Sequence, residues 1–385
     1  MQELKTSSNS FQTNNFDLIR IVTATLVLIN HSFAHLKLSV PFWYTIIQQF
    51  QRVPMFFVMS GFLLSASFEK NSDLNRYSRN RISRIYPGLW ACLLLTIILF
   101  WVVADQNFLR PETIPWLIAQ MAGLIYTPGF LDSFGYGSYN GSLWTIVVEL
   151  QFYMVLPVIY ILYKKFSKGS NNKLFYFLFV LSMGLAILLR FSTEFFGAHK
   201  HTINNLIRYS FLPYAYIFIA GILLQRLKIW QWRIIRGKAL LWMTAFLIYK
   251  YLVPSHPISD IGSMILLAIC TVSLGYSLPG IATRYLKNND LSYGVYLYHG
   301  MLLAILVELN IIGSMEYFIM VLVLTFFLAW LSYKYIEAPA MNWNKRRKPK
   351  QLPAPQQISV QPEVIQARTK TEPEIALTNF IPTDR

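Results

Sequence analysis

Charge is what this chain has least of. Asp, Glu, Lys and Arg together make up 14% of its residues, against about 25% in a soluble domain. That shortage excludes an ordinary soluble protein. Acidic residues are the scarcer sign, 18 against 34 Lys and Arg. Cysteine is nearly missing: Cys92 and Cys270 each lie inside an apolar segment, with no metal-binding spacing, so the thiols report nothing about redox compartment. No internal repeat of the kind many transporters carry is visible. A polar start, residues 1–15, precedes a first apolar run of full spanning length, which reads as a signal anchor and not a cleavable signal peptide.

What the chain does have is apolar length. Its 385 residues are 55% hydrophobic, room for about ten membrane-spanning helices plus loops. The expected fold class is all-α, a polytopic integral membrane protein. Spans are expected at Phe16–Leu36, within Trp43–Phe68, and at Ile85–Ala104, Leu143–Tyr163, Leu174–Phe191, Leu206–Leu224, Ala239–Val253, Ile258–Leu278, Leu291–Leu309 and Tyr317–Ile336. The Pro-punctuated segment Pro111–Phe130 could span, re-enter or lie at the interface. If it does not cross, the basic connectors all fall on one side: Lys70 to Arg84, Lys164 to Lys173, Arg226 to Lys238, Arg284 to Lys287, and Lys345 to Lys350. If it crosses, that asymmetry collapses. The positive-inside rule therefore favours ten transmembrane helices with both termini cytoplasmic. The net charge of +16 then reads as topology signal and lipid contact, with no nucleic acid among the partners. Residues 16–340 form the expected membrane domain, and 341–385 a disordered cytoplasmic tail.

The first span carries unusual passengers: Asp17, Arg20, His31 and His35. Ionisable groups at bilayer depth are costly and face a protein interior, so each is a candidate functional residue. Arg20 and His31 are eleven residues apart, close to three turns, which puts them on one helix face about 16 Å apart along the axis. Arg20 could instead snorkel to the headgroups with Asp17 paired to it at i, i+3. His31 lies too deep to snorkel to that surface. His35 falls one turn further, near the outer interface. The two histidines at i, i+4 have no evident third metal ligand, and no metal is expected.

Other candidates follow along the chain. Ser60-Gly61-Phe62 sits in the second span, where a glycine commonly lets helices pack closely. Arg81-x-x-Arg84 opens the third, either as positive-inside charge or as a fork for phosphate. Glu149 enters an apolar span, with Trp144 at the position of an interfacial belt residue. His299 lies within a late span, and Glu337 closes the last one before Pro339.

Together these segments resemble acyltransferase family 3, polytopic membrane enzymes that O-acylate bacterial surface glycans and some other acceptors. Arg20, ten residues and His31 match the family's first-helix pattern, with Asp17 in the accompanying Asp-x-x-Arg. Phe56 to Phe62 match Phe-Phe-x-x-Ser-Gly-Phe, Arg81 to Pro87 match Arg-x-x-Arg-Ile-Tyr-Pro, Leu143 to Tyr153 match Leu-Trp-Ser/Thr-x-x-x-Glu-x-x-Phe-Tyr, and Leu291 to His299 match Leu-Ser-Tyr-x-x-Tyr-Leu-x-His. One departure is Glu337-Ala338-Pro339, where the family commonly has Glu-Arg-Pro.

The resemblance implies a bacterial cytoplasmic (inner) membrane enzyme taking an acyl group from acyl-CoA, usually acetyl-CoA, to a hydroxyl of a glycan acceptor. It leaves room for a partner protein that completes transfer outside. Under it Arg20, Arg81 and Arg84 are expected to grip the donor. His31 is expected as general base or transient acyl carrier, with Glu149 orienting it or sharing the proton. Asp17, Ser60, Trp144, His299 and Glu337 are expected to support substrate or structure. The rival from another class is a transporter or flippase, in which the same polar residues form a proton relay or substrate path.

Overall fold

The computed structural model describes residues 11, 14–104, 106–137, 139–166, 171–195, 201–286 and 289–346. The expected tail lies outside these residues from position 347 onward, and so does most of the expected polar start. Among the described residues the secondary structure is helical, with no strand. Fifteen α-helices are labelled here: α1 Phe16–His35, α2 Phe42–Gln48, α3 Arg52–Lys70, α4 Leu74–Ala104, α5 Thr113–Met121, α6 Trp144–Phe166, α7 Lys173–Phe195 and α8 His201–Arg208. The series continues with α9 Ala215–Arg226, α10 Ala239–Leu252, α11 Pro257–Gly275, α12 Ile281–Leu286, α13 Ser292–Glu308, α14 Met315–Ser332 and α15 Ala338–Arg346.

Six helices among the described residues are long and apolar enough to cross a membrane: α1, α4, α6, α7, α11, and α14 with its continuation to Trp343. The protein is a multi-pass helical membrane protein. The other four expected spans also fold as helices, α3, α9, α10 and α13, but α9, α10 and α13 are only 12 to 17 residues long, and α3 is interrupted by polar residues such as Ser60, Ser65 and Ser67. Segment Pro111–Phe130 contains only α5, nine residues. At 1.5 Å per residue that helix covers roughly 14 Å, about half a hydrocarbon core. A π-turn at Tyr333–Glu337 joins α14 to α15. Pro339 follows the π-turn, and helix continues past the expected boundary at 340 to Arg346.

Helix α13 is the centre. Its sequence, SYGVYLYHGMLLAILVE, is apolar on every side, the pattern of a helix surrounded by protein. It is buried along nearly its whole length and packs on α1, α4 and α14. Helices α3 and α9 form the other close pair. Their crossing depends on Gly61 and Gly221: a Cβ on Gly61 would strike the Phe218 carbonyl, and one on Gly221 the Val58 carbonyl. Small residues at a crossing let two backbones approach in this way. Gly221→Ala should therefore lower the thermal unfolding midpoint in detergent, at a cost of about 1–3 kcal/mol. An unchanged midpoint would contradict the packing described.

The irregular stretch between α5 and α6 is held on α13. The Gly135 amide donates to Glu308 Oε2 (2.7 Å), the Tyr136 hydroxyl to the Gly300 carbonyl (3.1 Å), and Asn140 Nδ2 to the Leu297 carbonyl (2.8 Å). Gly135 has φ +61° and lies so close to Ala304 that a Cβ would meet its backbone at 2.7 Å, two reasons for glycine there. These bonds satisfy backbone groups that membrane depth would otherwise penalise. They also seat Ser142, just before α6, against the middle of α13.

Candidate active site

At the end of the bundle where α1 begins, Asp290 organises three helices. It pairs with Arg84 of α4 and lies 3.7 Å from Arg20 of α1, while its Oδ1 accepts from the Ser292 amide (3.1 Å) and the Ser292 hydroxyl at the start of α13. Arg20 also meets Asp17 at 3.1 Å, the i, i+3 pairing the sequence suggested. Burial works against the Asp290 charge, but Arg84 and then Arg20 outweigh it and hold the carboxyl at about 2. Asp290 thus stays ionised and ties two arginines to one anchor.

Arg81 is different. Among the described residues it has no acidic partner, and its Nε is buried without a hydrogen bond. Its guanidinium lies 5.9 Å from the Tyr77 ring centre and 5.5 Å from that of Tyr153. Arg81 and Arg84 both reach the site, but not as one fork: Arg84 is neutralised, whereas Arg81 keeps donor capacity to offer.

Arg20, Arg81, Arg84 and Ser292 line one end of a cavity of about 300 Å³ that continues past Ser60, Glu149 and Tyr153 to Thr145 and Tyr296. That volume is at the lower edge of the ~300–1,000 Å³ typical of ligand pockets, enough for an extended arm and not for a whole nucleotide. Glu149 accepts from the Tyr153 hydroxyl and, at 3.5 Å, from Ser60. Among the described residues it makes no hydrogen bond to His31 and lines the cavity instead. Thr145 donates to the Tyr296 hydroxyl (2.6 Å), which donates to the Ser142 carbonyl (2.9 Å), closing the cavity's far end.

His31 lies beyond that closure, paired with His299. His31 Nδ1 is 3.1 Å from His299 Nε2, and Ser142 Oγ lies 2.9 Å from the same Nε2 and 3.4 Å from His31 Nδ1. His299 is fully buried, and its Nδ1 donates to the Val295 carbonyl (3.0 Å). A neutral imidazole donates from one nitrogen only, so His299 Nε2 is an acceptor. It accepts from His31 Nδ1 or from Ser142, and in the second case Ser142 accepts from His31. Either arrangement places the His31 proton on Nδ1 and leaves its Nε2 lone pair free. The ring of His35 is 5.8 Å from that of His31 and stacks on Tyr136 at 3.9 Å. No three metal-capable side chains converge among the described residues.

The remaining candidates divide. Trp144 packs near Tyr214 and Tyr209 and lines a second cavity. Glu337 is buried in the π-turn, accepting from Ser332 (2.7 Å), and does not line the cavity. Sequence reading passed over Asp290, Ser142, Thr145 and Tyr296. The signal for Asp290 was a carboxylate directly ahead of the Leu291 to His299 element; Thr145 and Tyr296 lay inside quoted segments and Ser142 directly ahead of one, but none of the three carries a charge.

A helical protein of the membrane, with a base buried beyond a cavity mouthed by arginines, is the class that fold and site define. The chain belongs to acyltransferase family 3: the family's acyltransferase domain matches residues 13–334. It is an enzyme, an acyltransferase. The chain is 27% identical to nodulation protein 10 of Rhizobium leguminosarum, over 87% of this chain and 95% of that protein. It is 25% identical to an O-acetyl transferase of Shigella phage Sf6, over 46% of this chain and 53% of the other. With the peptidoglycan O-acetyltransferase OatA of Listeria monocytogenes it shares 27% identity, over 35% of this chain and 23% of that longer protein. No solved structure matches the chain.

Proposed function

We propose that this protein is an O-acetyltransferase that moves an acetyl group from cytoplasmic acetyl-CoA to a hydroxyl of an exported or cell-surface polysaccharide. The observation that carries the reading is the His31 pair: Nδ1 engaged by His299 and Ser142, Nε2 left with a free lone pair. The names of the phage and Listeria relatives favour acetyl transfer to oxygen. In this reading ten helices cross a bacterial inner membrane with both termini in the cytoplasm, following the one-sided basic connectors. The arginine end of the cavity then faces the cytoplasm.

Acetyl-CoA enters there as substrate. Arg81 offers the buried donor without a partner to its phosphates. Arg84 and Arg20, tied by Asp290, frame the mouth, and Arg81 supplies its unpaired positive charge. The pantetheine arm runs along the cavity toward Thr145 and Tyr296, whose hydroxyls are the polar groups at the far end. Tyr296 must turn aside for the thioester to reach His31. There Nε2 takes the proton of the acceptor hydroxyl as its oxygen attacks the thioester carbonyl. The tetrahedral intermediate collapses with loss of the C–S bond, and the proton passes to the departing thiolate. Ester and CoA thiol result. His299 and Ser142 are positioning residues that fix the tautomer of His31.

Radiolabel from acetyl-CoA appearing as alkali-labile ester in glycan tests the proposal. In the same assay Arg81→Met should weaken donor affinity. A lost charge-assisted hydrogen bond is worth about 1.5–3 kcal/mol, a KM increase of roughly 10- to 150-fold. An unchanged donor KM would remove Arg81 from the grip.

A further inference from the structure

The second cavity, about 170 Å³, shares no lining residue with the arginine cavity and is walled by the chain neighbours of Ser142. Asn140, Gly141, Leu143 and Trp144 all contribute to its wall, and Ser142 between them touches both histidines. The first turn of α6 therefore divides two spaces: Trp144 opens on this one, and Thr145, Ile146 and Glu149 open on the other. We infer that this second cavity is the acceptor subsite and that it binds one uncharged sugar ring. The inference rests on the acyl-transfer reading above and adds the residues and chemistry of its acceptor side.

Three observations point to that ligand. The lining contains no charged side chain, which suits a neutral polyol and gives nothing to hold a phosphate or carboxylate. Its aromatic faces are Tyr126, Trp144 and Tyr209, surfaces with an apolar body and a polar edge that match a sugar's C–H face and its hydroxyl rim. Its polar groups fall into two sets. The inner set is spent within the wall: Tyr139 donates to Gln120, Gln120 donates to the Tyr126 carbonyl (3.1 Å), and Asn140 donates to Leu297. The outer set, the hydroxyls of Tyr126, Thr127 and Tyr209 and the indole N–H of Trp144, makes no hydrogen bond among the described residues. A wall fixed from behind and hydrogen-bonding groups turned to the space is a binding surface already organised. The volume, well under the ~300–1,000 Å³ of pockets for larger ligands, limits occupancy to a single ring, with the rest of a glycan outside. Asn140, Gly141 and Leu143 of its wall flank Ser142 in the chain, and Ser142 touches both histidines, so a ring held there is one residue removed from the His31 pair's partner.

The test uses the full-length protein in nanodiscs, radiolabelled acetyl-CoA, and methyl glycosides of glucose, galactose, mannose and rhamnose as acceptors or competitors. Wild type should acetylate at least one glycoside, or have its glycan transfer inhibited by one. Tyr209→Leu and, as a mild loop substitution, Thr127→Val should each raise the KM for that glycoside tenfold or more. The affinity for acetyl-CoA, measured separately by binding, should stay within twofold. An unchanged glycoside KM in both variants overturns the subsite, and so does an equal loss of donor affinity. If no glycoside is acetylated or inhibits while glycan transfer proceeds, the single-ring assignment is wrong. Should wild type release no CoA thiol with any acceptor, the failure lies with the acyl-transfer reading itself.

Discussion

His31→Ala should abolish acyl transfer with the protein still folded and inserted. A positioned general base contributes about 10²- to 10⁴-fold to rate, and the neighbouring His35 imidazole, its ring centre 5.8 Å from that of His31, stacks on Tyr136 and makes no hydrogen bond to His299 or Ser142 among the described residues. His299 spends Nδ1 on the Val295 carbonyl and Nε2 on His31 or Ser142, so it cannot take over without breaking its own bonds. The expected result is a kcat lowered by at least 10²-fold, with acetyl-CoA binding intact because the arginine end is remote, about 16 Å along α1. His299→Phe should lower kcat by a smaller factor, since His31 keeps its base but loses the partner that selects its tautomer. Incubation with labelled donor alone separates the two roles open to Nε2. Label retained on wild-type protein and absent from His31→Ala would mean an acyl-histidine intermediate. No retained label would mean base catalysis alone.

The second large effect is on stability. Asp290 binds Arg84, approaches Arg20 and caps the start of α13, with its side chain 10% exposed. Removing one partner of a buried pair leaves an uncompensated charge and typically costs about 3–5 kcal/mol. Asp290→Ala should therefore fall sharply in thermal unfolding and in accumulation. Replacing both charges, Asp290→Ala with Arg84→Met, should recover most of the stability. Donor affinity would not recover, because Arg84 is part of the mouth. The pH behaviour has a definite sign. A carboxyl held at about 2, below its ordinary 3.8, contributes stability that is full above the ordinary value and disappears as pH falls through the lower one. Asp290 is thus ionised wherever the enzyme works, and Asp290→Asn at neutral pH should resemble the wild type in strong acid. Stability of Asp290→Ala equal to wild type would show that the arginines need no anchor.

Much of this site was legible in the sequence because costly residues are conspicuous against an apolar background. Asp17, Arg20, His31, Glu149 and His299 stood out for that reason, and helical spacing alone placed Arg20 and His31 on one strip. What spacing within a helix does not convey is which helices meet. Sequence reading put Glu149 beside His31 and gave His299 only a supporting part; the contacts that join His299 and Ser142 to His31 come from how the helices pack. Neutral hydroxyls such as Ser142, Thr145 and Tyr296 carry no cost signal, so their part was invisible until the fold joined them. The glycine expectation at Gly61 was sound because close packing needs only local smallness. The spans were readable where hydropathy ran long, as in α1, α4 and α14. Short helices such as α9 and α10 were legible as apolar segments too, but at 12 and 14 residues they fall short of spanning length.

The most direct test of the whole account is label transfer by purified protein in nanodiscs, wild type beside His31→Ala, with acetyl-CoA labelled in its acetyl group and extracted polysaccharide as acceptor. The account predicts alkali-labile label on the polysaccharide and equimolar CoA thiol from wild type, and neither above background from His31→Ala despite equal acetyl-CoA binding. Transfer at the wild-type rate by His31→Ala would contradict it.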